Sequence, residues 1–370
     1  MAFFIIIFIV CYLFSLIELF TNISRSAKVL IAALMSVLFV IFSTFYYGGL
    51  GDYYSYKDWF KKTDLSHLYN LANNNFEYLY EVIQAIAKSL VNNYVFLRFV
   101  LAVLCMSLQY NILVQGEDGH GNSHPLTLML ILWSLNFGNI FIIRSTIATL
   151  FCLLSIRFIE GRDLRRFLIT TVTAILFHRI AIVWLAAYFV YDKKFSKELI
   201  YAGIAVTFIF HNSLPSIIVM FSSLFGSSIH GKVSRYIGYG IDNQFGSNYS
   251  ATFLLLKSSA NAVLLIILFA IIKKTMKDDC ERKKVNGLFN IFLVGFFLQV
   301  CTFQTSSAIA RVATPFITVQ FFLLLRIFEF KYRSLIDKFV VHFGMSAYLL
   351  LRMLVFVNSA EYSLFALKLP

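Results

Sequence analysis

About ten stretches of mostly apolar residues, each near the length a helix needs to cross a bilayer, are joined by short clusters of Lys and Arg. A run of this kind has few structural options. In hydrocarbon every backbone N–H and C=O must be satisfied within the segment, so the chain becomes helical. Hydrophobic residues make up 59% of the 370 and charged residues only 14%, against roughly 45–50% and 25% in a soluble domain. The reading is an all-α, polytopic membrane protein forming a single multi-span domain over 1–370. The expected spans are 2–20, 29–47, 94–114, 125–143, 145–159, 199–221, 251–272, 285–303, 312–330 and 339–357. The first lacks a basic leader and a small-residue cleavage site, so it reads as a retained span.

The charge clusters orient the chain. Lys273, Lys274, Lys277, Arg282, Lys283 and Lys284 crowd one inter-span loop, the strongest cytoplasmic marker. The basic stretches at 25–28, 162–166, 192–197 and 331–338 read the same way. Two longer polar segments, 48–93 and 222–250, then fall on the outer, periplasmic side. Within the first, Phe76, Leu79, Tyr80, Ile83, Ala87 and Leu90 recur at helical spacing, which predicts an amphipathic helix lying at the surface. Segment 167–190 decides the parity. A single crossing, making an eleventh span, would put 162–166 outside, against the positive-inside tendency. A re-entrant helical pair turning near His178 keeps both flanking basic loops inside, and is the reading adopted.

Charge inside such a segment costs roughly 2.5–3.5 kcal/mol per residue even on the gentlest scale. Arg144 heads an apolar run, His178–Arg179 breaks the next, and Arg311 precedes another. Two guanidiniums at outer helix N-termini suit a phosphate or pyrophosphate. The competing account has each arginine reaching to the lipid headgroups. Arg98 and Lys257, also near outer span ends, are further anion-binding candidates; Arg326 and Arg352 are read as headgroup contacts. His178 is a candidate base, while His211, with no charged neighbour, reads as packing. The segment Gly48–Tyr56 sets Asp52 beside Tyr53, Tyr54 and Tyr56. The tyrosine rings could stack on sugars, and the carboxylate could orient or deprotonate a hydroxyl.

The excess of 32 Lys+Arg over 19 Asp+Glu, +13 in all, reports orientation, and no nucleic-acid motif accompanies it. No phosphate-binding glycine loop of the ATPase type and no metal-binding pattern is present in the sequence. The five cysteines show no paired spacing, so neither a disulfide framework nor a zinc site is expected. No cofactor and no metal are implied.

In order along the chain come Gly51–Tyr56 after the second span, Glu77–Tyr80 in the amphipathic helix, Arg144–Ala148 heading a span, Phe177–His178, and Arg311 ahead of Pro315 and Phe316. Taken together this resembles the EpsG-like branch of the Wzy polysaccharide polymerases, bacterial inner-membrane enzymes. The resemblance implies a membrane glycosyltransferase that joins undecaprenyl-pyrophosphate-linked repeat units into O-antigen, and so lipopolysaccharide, or capsular or exopolysaccharide at the periplasmic face. It places Asp52, Arg144, His178 and Arg311 at matching positions and implies a chain-length regulator as partner. Ile180 departs from the family pattern, which has a small or hydroxyl residue there, and Arg179 is unusual. A lipid-linked oligosaccharide flippase and a membrane O-acyltransferase are the alternatives. The first would be expected to show internal symmetry, which the sequence lacks; the second leaves the arginine pair without a role.

Overall fold

The computed structural model describes residues 2–47, 52–65, 76–115, 121–136, 143–210, 213–223, 230–231, 234, 251–276, 278–302, 311–330, 332, 334–357 and 366–367. These are helical almost throughout. The one sheet among them is a two-residue antiparallel bridge between β1 (Tyr46–Tyr47) and β2 (Ala366–Leu367). Among the described residues, five helical stretches are long and apolar enough to cross a membrane: Arg25–Phe45, Tyr94–Gln115, Asp279–Thr302, Arg311–Phe328 and Leu335–Val355. Shorter apolar helices cover Phe4–Phe20, Pro125–Leu135, Arg179–Val190 and Ser259–Ile271. His211 lies outside the described residues.

The chain separates into two compact units, one of residues 1–182 with 324–370 and one of residues 183–323. The first holds α1 (Ala2–Phe20), α2 (Arg25–Phe45), α3 (Asp52–Lys62), α4 (Tyr78–Leu90), α5 (Tyr94–Gln115), α6 (Pro125–Asn136), α7 (Ile143–Leu154), α8 (Ile156–Glu160) and α9 (Leu164–Phe177). On α2, Ala32, Met35, Phe39 and Phe42 turn inward at helical spacing, while Leu30, Leu34, Val37, Leu38 and Ile41 stay exposed. Such a bare aliphatic stripe would be a liability in water, but it is the ordinary surface of a helix facing lipid. α6 is buried nearly all round, with the Phe39 ring stacked on Trp133 at 4.5 Å. Its N-terminus begins with Pro125, whose missing N–H suits that position. The next orphan donors are met from another helix: the fully buried Glu18 of α1 accepts Leu126 N–H at 3.1 Å and Thr127 N–H at 2.7 Å. A carboxylate at that pole also complements the helix dipole.

α7 and α9 pack together, joined by a tight reversal after α8. Asp163 N–H bonds to Phe158 O and Arg162 N–H to Ile159 O, the paired bonds of a Schellman turn. Arg162 takes the left-handed position at φ 54°, and Asp163 caps α9 by accepting Arg166 N–H at 2.9 Å. The basic turn and Arg144 therefore stand at opposite ends of this pair.

In the second unit α10 (Leu185–Val190), α11 (Lys197–Phe210), α12 (Leu214–Ser222) and α13 (Ala251–Thr275) gather round α14 (Asp279–Thr302). The buried Asn290 amide of α14 donates to the carbonyls of Val190, Tyr191 and Lys193 at the end of α10. Gly295 lets the backbone of α15 (Thr314–Ile317) approach, since a Cβ there would lie 2.8 Å from Ile317 N. α16 (Gln320–Phe328) follows, and α17 (Leu335–Val357) packs on α6 in the first unit.

Candidate functional site

Arg144 sits in the first turn of α7. Helical side chains lean toward their own N-terminus, and this one reaches the segment that leads into α4. There α3 supplies Tyr56 and Phe60, both buried, from one face. The Tyr56 ring stacks on Phe76 at 4.9 Å, and Tyr80 meets both edge-on. Glu81, wholly buried, accepts Trp59 Nε1–H at 2.8 Å and Phe76 N–H at 3.2 Å, tying α3 to the residues before α4. Lys88 reinforces the pair by donating to the carbonyls of Lys61 and Thr63, each at 2.7 Å. The amphipathic helix expected at the surface is thus packed against α5 and α9, with Glu81 and Gln84 on its buried face. Of these polar groups, Glu81 Oε1 accepts Trp59 Nε1–H of α3, and the Gln84 amide donates to Thr63 Oγ1, just beyond α3, at 2.6 Å.

Into this aromatic enclosure Arg144 places its guanidinium, 4.2 Å from the Phe76 ring centroid and within 6 Å of Tyr56 and Tyr80. Nε donates to the Tyr56 hydroxyl at 2.7 Å, and Nη1 forms an ion pair with Glu77 Oε2. The ring faces and the carboxylate together offset the cost of holding a cation in a confined site. Glu77 stands at the N-cap of α4, yet its side chain does not cap that helix. Burial pushes the Tyr80 hydroxyl well above the usual phenol range, so it remains a neutral donor.

The interruption expected at His178 is present. α9 ends at Phe177, His178 is extended, and a 3₁₀ turn runs over Arg179–Trp184. Arg179 N–H donates to Glu77 Oε1 at 3.2 Å, which binds the break to the head of α4. His178 Nδ1 lies 4.0 Å from the same Oε1 and accepts Ile180 N–H at 3.3 Å. Glu77 therefore joins Arg144 on one oxygen to the His178–Arg179 break on the other. The three side chains keep 18%, 11% and 14% exposure for Arg144, Glu77 and His178, enough to be reached. The Arg179 residue is exposed, and its backbone makes the link.

Asp52 opens α3, but its side chain lies outside the described part of the structure, as does that of Lys257. Tyr53 faces Tyr94 and Arg98, and Tyr54 is 55% exposed. Arg98 is buried and donates to Ser43 O at 2.7 Å near the end of α2. Arg311 opens a 3₁₀ turn over Arg311–Ala313 in the second unit, whereas Arg144 belongs to the first. Sequence reasoning missed Glu77 as the partner of Arg144 and read the ring and hydroxyl of Tyr56 as sugar contacts, not as a contact for Arg144. The available signal was an acidic residue at a helix start that its own helix did not need. Among the described residues no cluster of His, Cys, Asp and Glu could hold a metal.

Chemically, the arrangement combines a guanidinium paired with a carboxylate and an imidazole at a backbone break that the same carboxylate approaches. The EpsG family model matches residues 28–369 of the chain. No curated protein and no solved structure matches it.

Proposed function

The chain belongs to the EpsG family of polysaccharide-polymerase-type membrane proteins, and from that premise we propose that it joins undecaprenyl-pyrophosphate-linked repeat units at the periplasmic face of the inner membrane. The product would be O-antigen or a capsular or exopolysaccharide. The observation that carries this reading is the Arg144 guanidinium, enclosed by Tyr56, Phe76 and Tyr80 beside the His178 break. Glycosyl transfer from a lipid pyrophosphate builds negative charge on the leaving group. A guanidinium positioned in advance in a water-poor pocket stabilises that charge without reorganising, and its planar set of donors matches phosphate oxygens. His178 or Asp52 would take the proton of the acceptor hydroxyl, and Arg311 would supply a second cation. The donor is already activated, so no nucleotide is needed.

The topology that goes with this reading has about ten spans and a re-entrant pair at 167–190. It is supported by the contact of the break with Glu77, the partner of Arg144: both belong to the end of the α7–α9 pair opposite the basic turn at 161–163. Deletion of the gene is expected to leave surface glycans of one repeat unit. A complete absence of surface glycan would point to a flippase, and full-length glycan lacking acyl groups to an acyltransferase. In complemented cells, Arg144→Ala and Arg311→Ala are each expected to stop chain extension while single units remain on the lipid. Long polymer from either variant, at wild-type expression, would remove that arginine from the site.

A further inference from the structure

We propose that Glu77 is a positioning residue exchanged between two partners during turnover: it holds Arg144 in the empty enzyme and passes to His178 when a pyrophosphate group takes Arg144. This rests on the polymerase reading above and assigns a role to a carboxylate that reading does not use.

The geometry has three parts. Glu77 Oε2 pairs with Arg144, so an incoming pyrophosphate and the carboxylate compete for the same guanidinium. Glu77 Oε1 is fastened independently by Arg179 N–H at 3.2 Å, so loss of Arg144 leaves the carboxylate with a pivot. From that pivot His178 Nδ1 is 4.0 Å away, about 1 Å beyond hydrogen-bond length. In the resting arrangement Nδ1 accepts Ile180 N–H, which fits the tautomer carrying its proton on Nε2. That tautomer cannot take a proton at Nε2. A carboxylate arriving at Nδ1 favours the opposite tautomer: Nε2 gives its proton to water, Nδ1 takes one from water as it exchanges Ile180 N–H for Glu77, and the lone pair is then on Nε2. Binding the donor would thus create the base.

The step then balances without a further reactant. The acceptor hydroxyl gives its proton to His178 Nε2 as its oxygen bonds to the anomeric carbon. The bond from that carbon to the pyrophosphate oxygen breaks, and its electron pair leaves with the lipid pyrophosphate, whose charge Arg144 receives. Glu77 stabilises the resulting imidazolium until the proton passes to water.

The test uses the full-length protein in lipid nanodiscs, inorganic pyrophosphate as the binding probe, and single-repeat lipids extracted from the deletion strain as substrate. Glu77→Gln removes the charged competitor but keeps the shape. Pyrophosphate is expected to bind about tenfold tighter, kcat to fall about 100-fold, and KM for the lipid-linked unit not to rise. Glu77→Asp keeps the charge and is expected to recover turnover to within about tenfold of wild type, which a purely steric role would not produce. Weaker pyrophosphate binding in either variant would overturn the exchange, since Glu77 would then only be fixing the pose of Arg144. Wild-type kcat in Glu77→Gln would overturn it as well. If Glu77→Gln does not fold, the direction of the pyrophosphate shift in Glu77→Asp decides: equal or tighter supports exchange, weaker refutes it. A wild-type protein that extends no lipid-linked unit, yet whose variants show the tighter pyrophosphate binding, would sink the polymerase reading and leave the competition for Arg144 standing.

Discussion

Arg144 is held from three directions, and each contributes something different. Glu77 neutralises it, the rings of Phe76 and Tyr80 wall it in, and the Tyr56 hydroxyl fixes the orientation of Nε. Tyr56→Phe isolates the last of these, because the ring remains to stack on Phe76 while the acceptor is lost. Expected are a stability loss of about 1 kcal/mol and polymer output lowered about tenfold, read as the unfolding midpoint and as glycan length on gels. Unchanged polymer length would mean that the rings and Glu77 orient the guanidinium without the hydroxyl. Among these residues Arg144 and His178 stand out in the sequence because charge in an apolar run is costly. Glu77 does not stand out, because its value depends on a partner 67 residues away.

At the scale of elements, α9 owes its position to the reversal that precedes it. The left-handed position of the Schellman turn is filled by Arg162, while Gly161 stands one place too early to serve. A side chain with a Cβ costs about 1 kcal/mol or more in that conformation, and glycine removes the cost. Arg162→Gly is therefore expected to raise the thermal midpoint slightly, with chain extension intact. A lowered midpoint would show that the Arg162 side chain contributes more than its backbone strain costs. The existence of α1 and α2 was readable from sequence because a spanning helix must be apolar along most of its length. The interior placement of α4 was not. Its Glu81 and Gln84 are buried, and the groups they bond to, Trp59 and Thr63, lie in a separate segment that the periodicity of α4 does not report.

Across the first unit, helix ends far apart in sequence meet in one charged cluster. Lys28 donates to Ser123 O at 2.8 Å, and Lys338 bonds to Leu19 O. Between them burial, followed by the fields of Lys28, Lys338 and Arg326, lowers His124 from 6.5 to about 4. The native state therefore resists a proton that the unfolded chain accepts. Stability is unaffected above pH 6.5 and is lost as pH falls from there to about 4. Unfolding midpoints in detergent are expected to drop across that window, and His124→Gln to flatten the dependence. An identical slope in the variant would assign the effect to other groups.

The apolar runs and basic clusters determined by themselves that this chain is a helical membrane protein, since continuous apolar runs of about 20 residues satisfy their backbone in hydrocarbon as helices, whereas barrel strands are shorter and alternate. Residue order alone also sufficed to suggest the EpsG-like family, and membership follows from the match over 28–369. Which side chains meet was decided by tertiary structure. Helix packing brings Tyr56, Glu77, Arg144 and the His178 break together from four separate segments. Periodicity along one helix reports which face is apolar, but carries no record of what lies opposite. A single carboxylate placed between an arginine and a histidine exists only once those segments have packed.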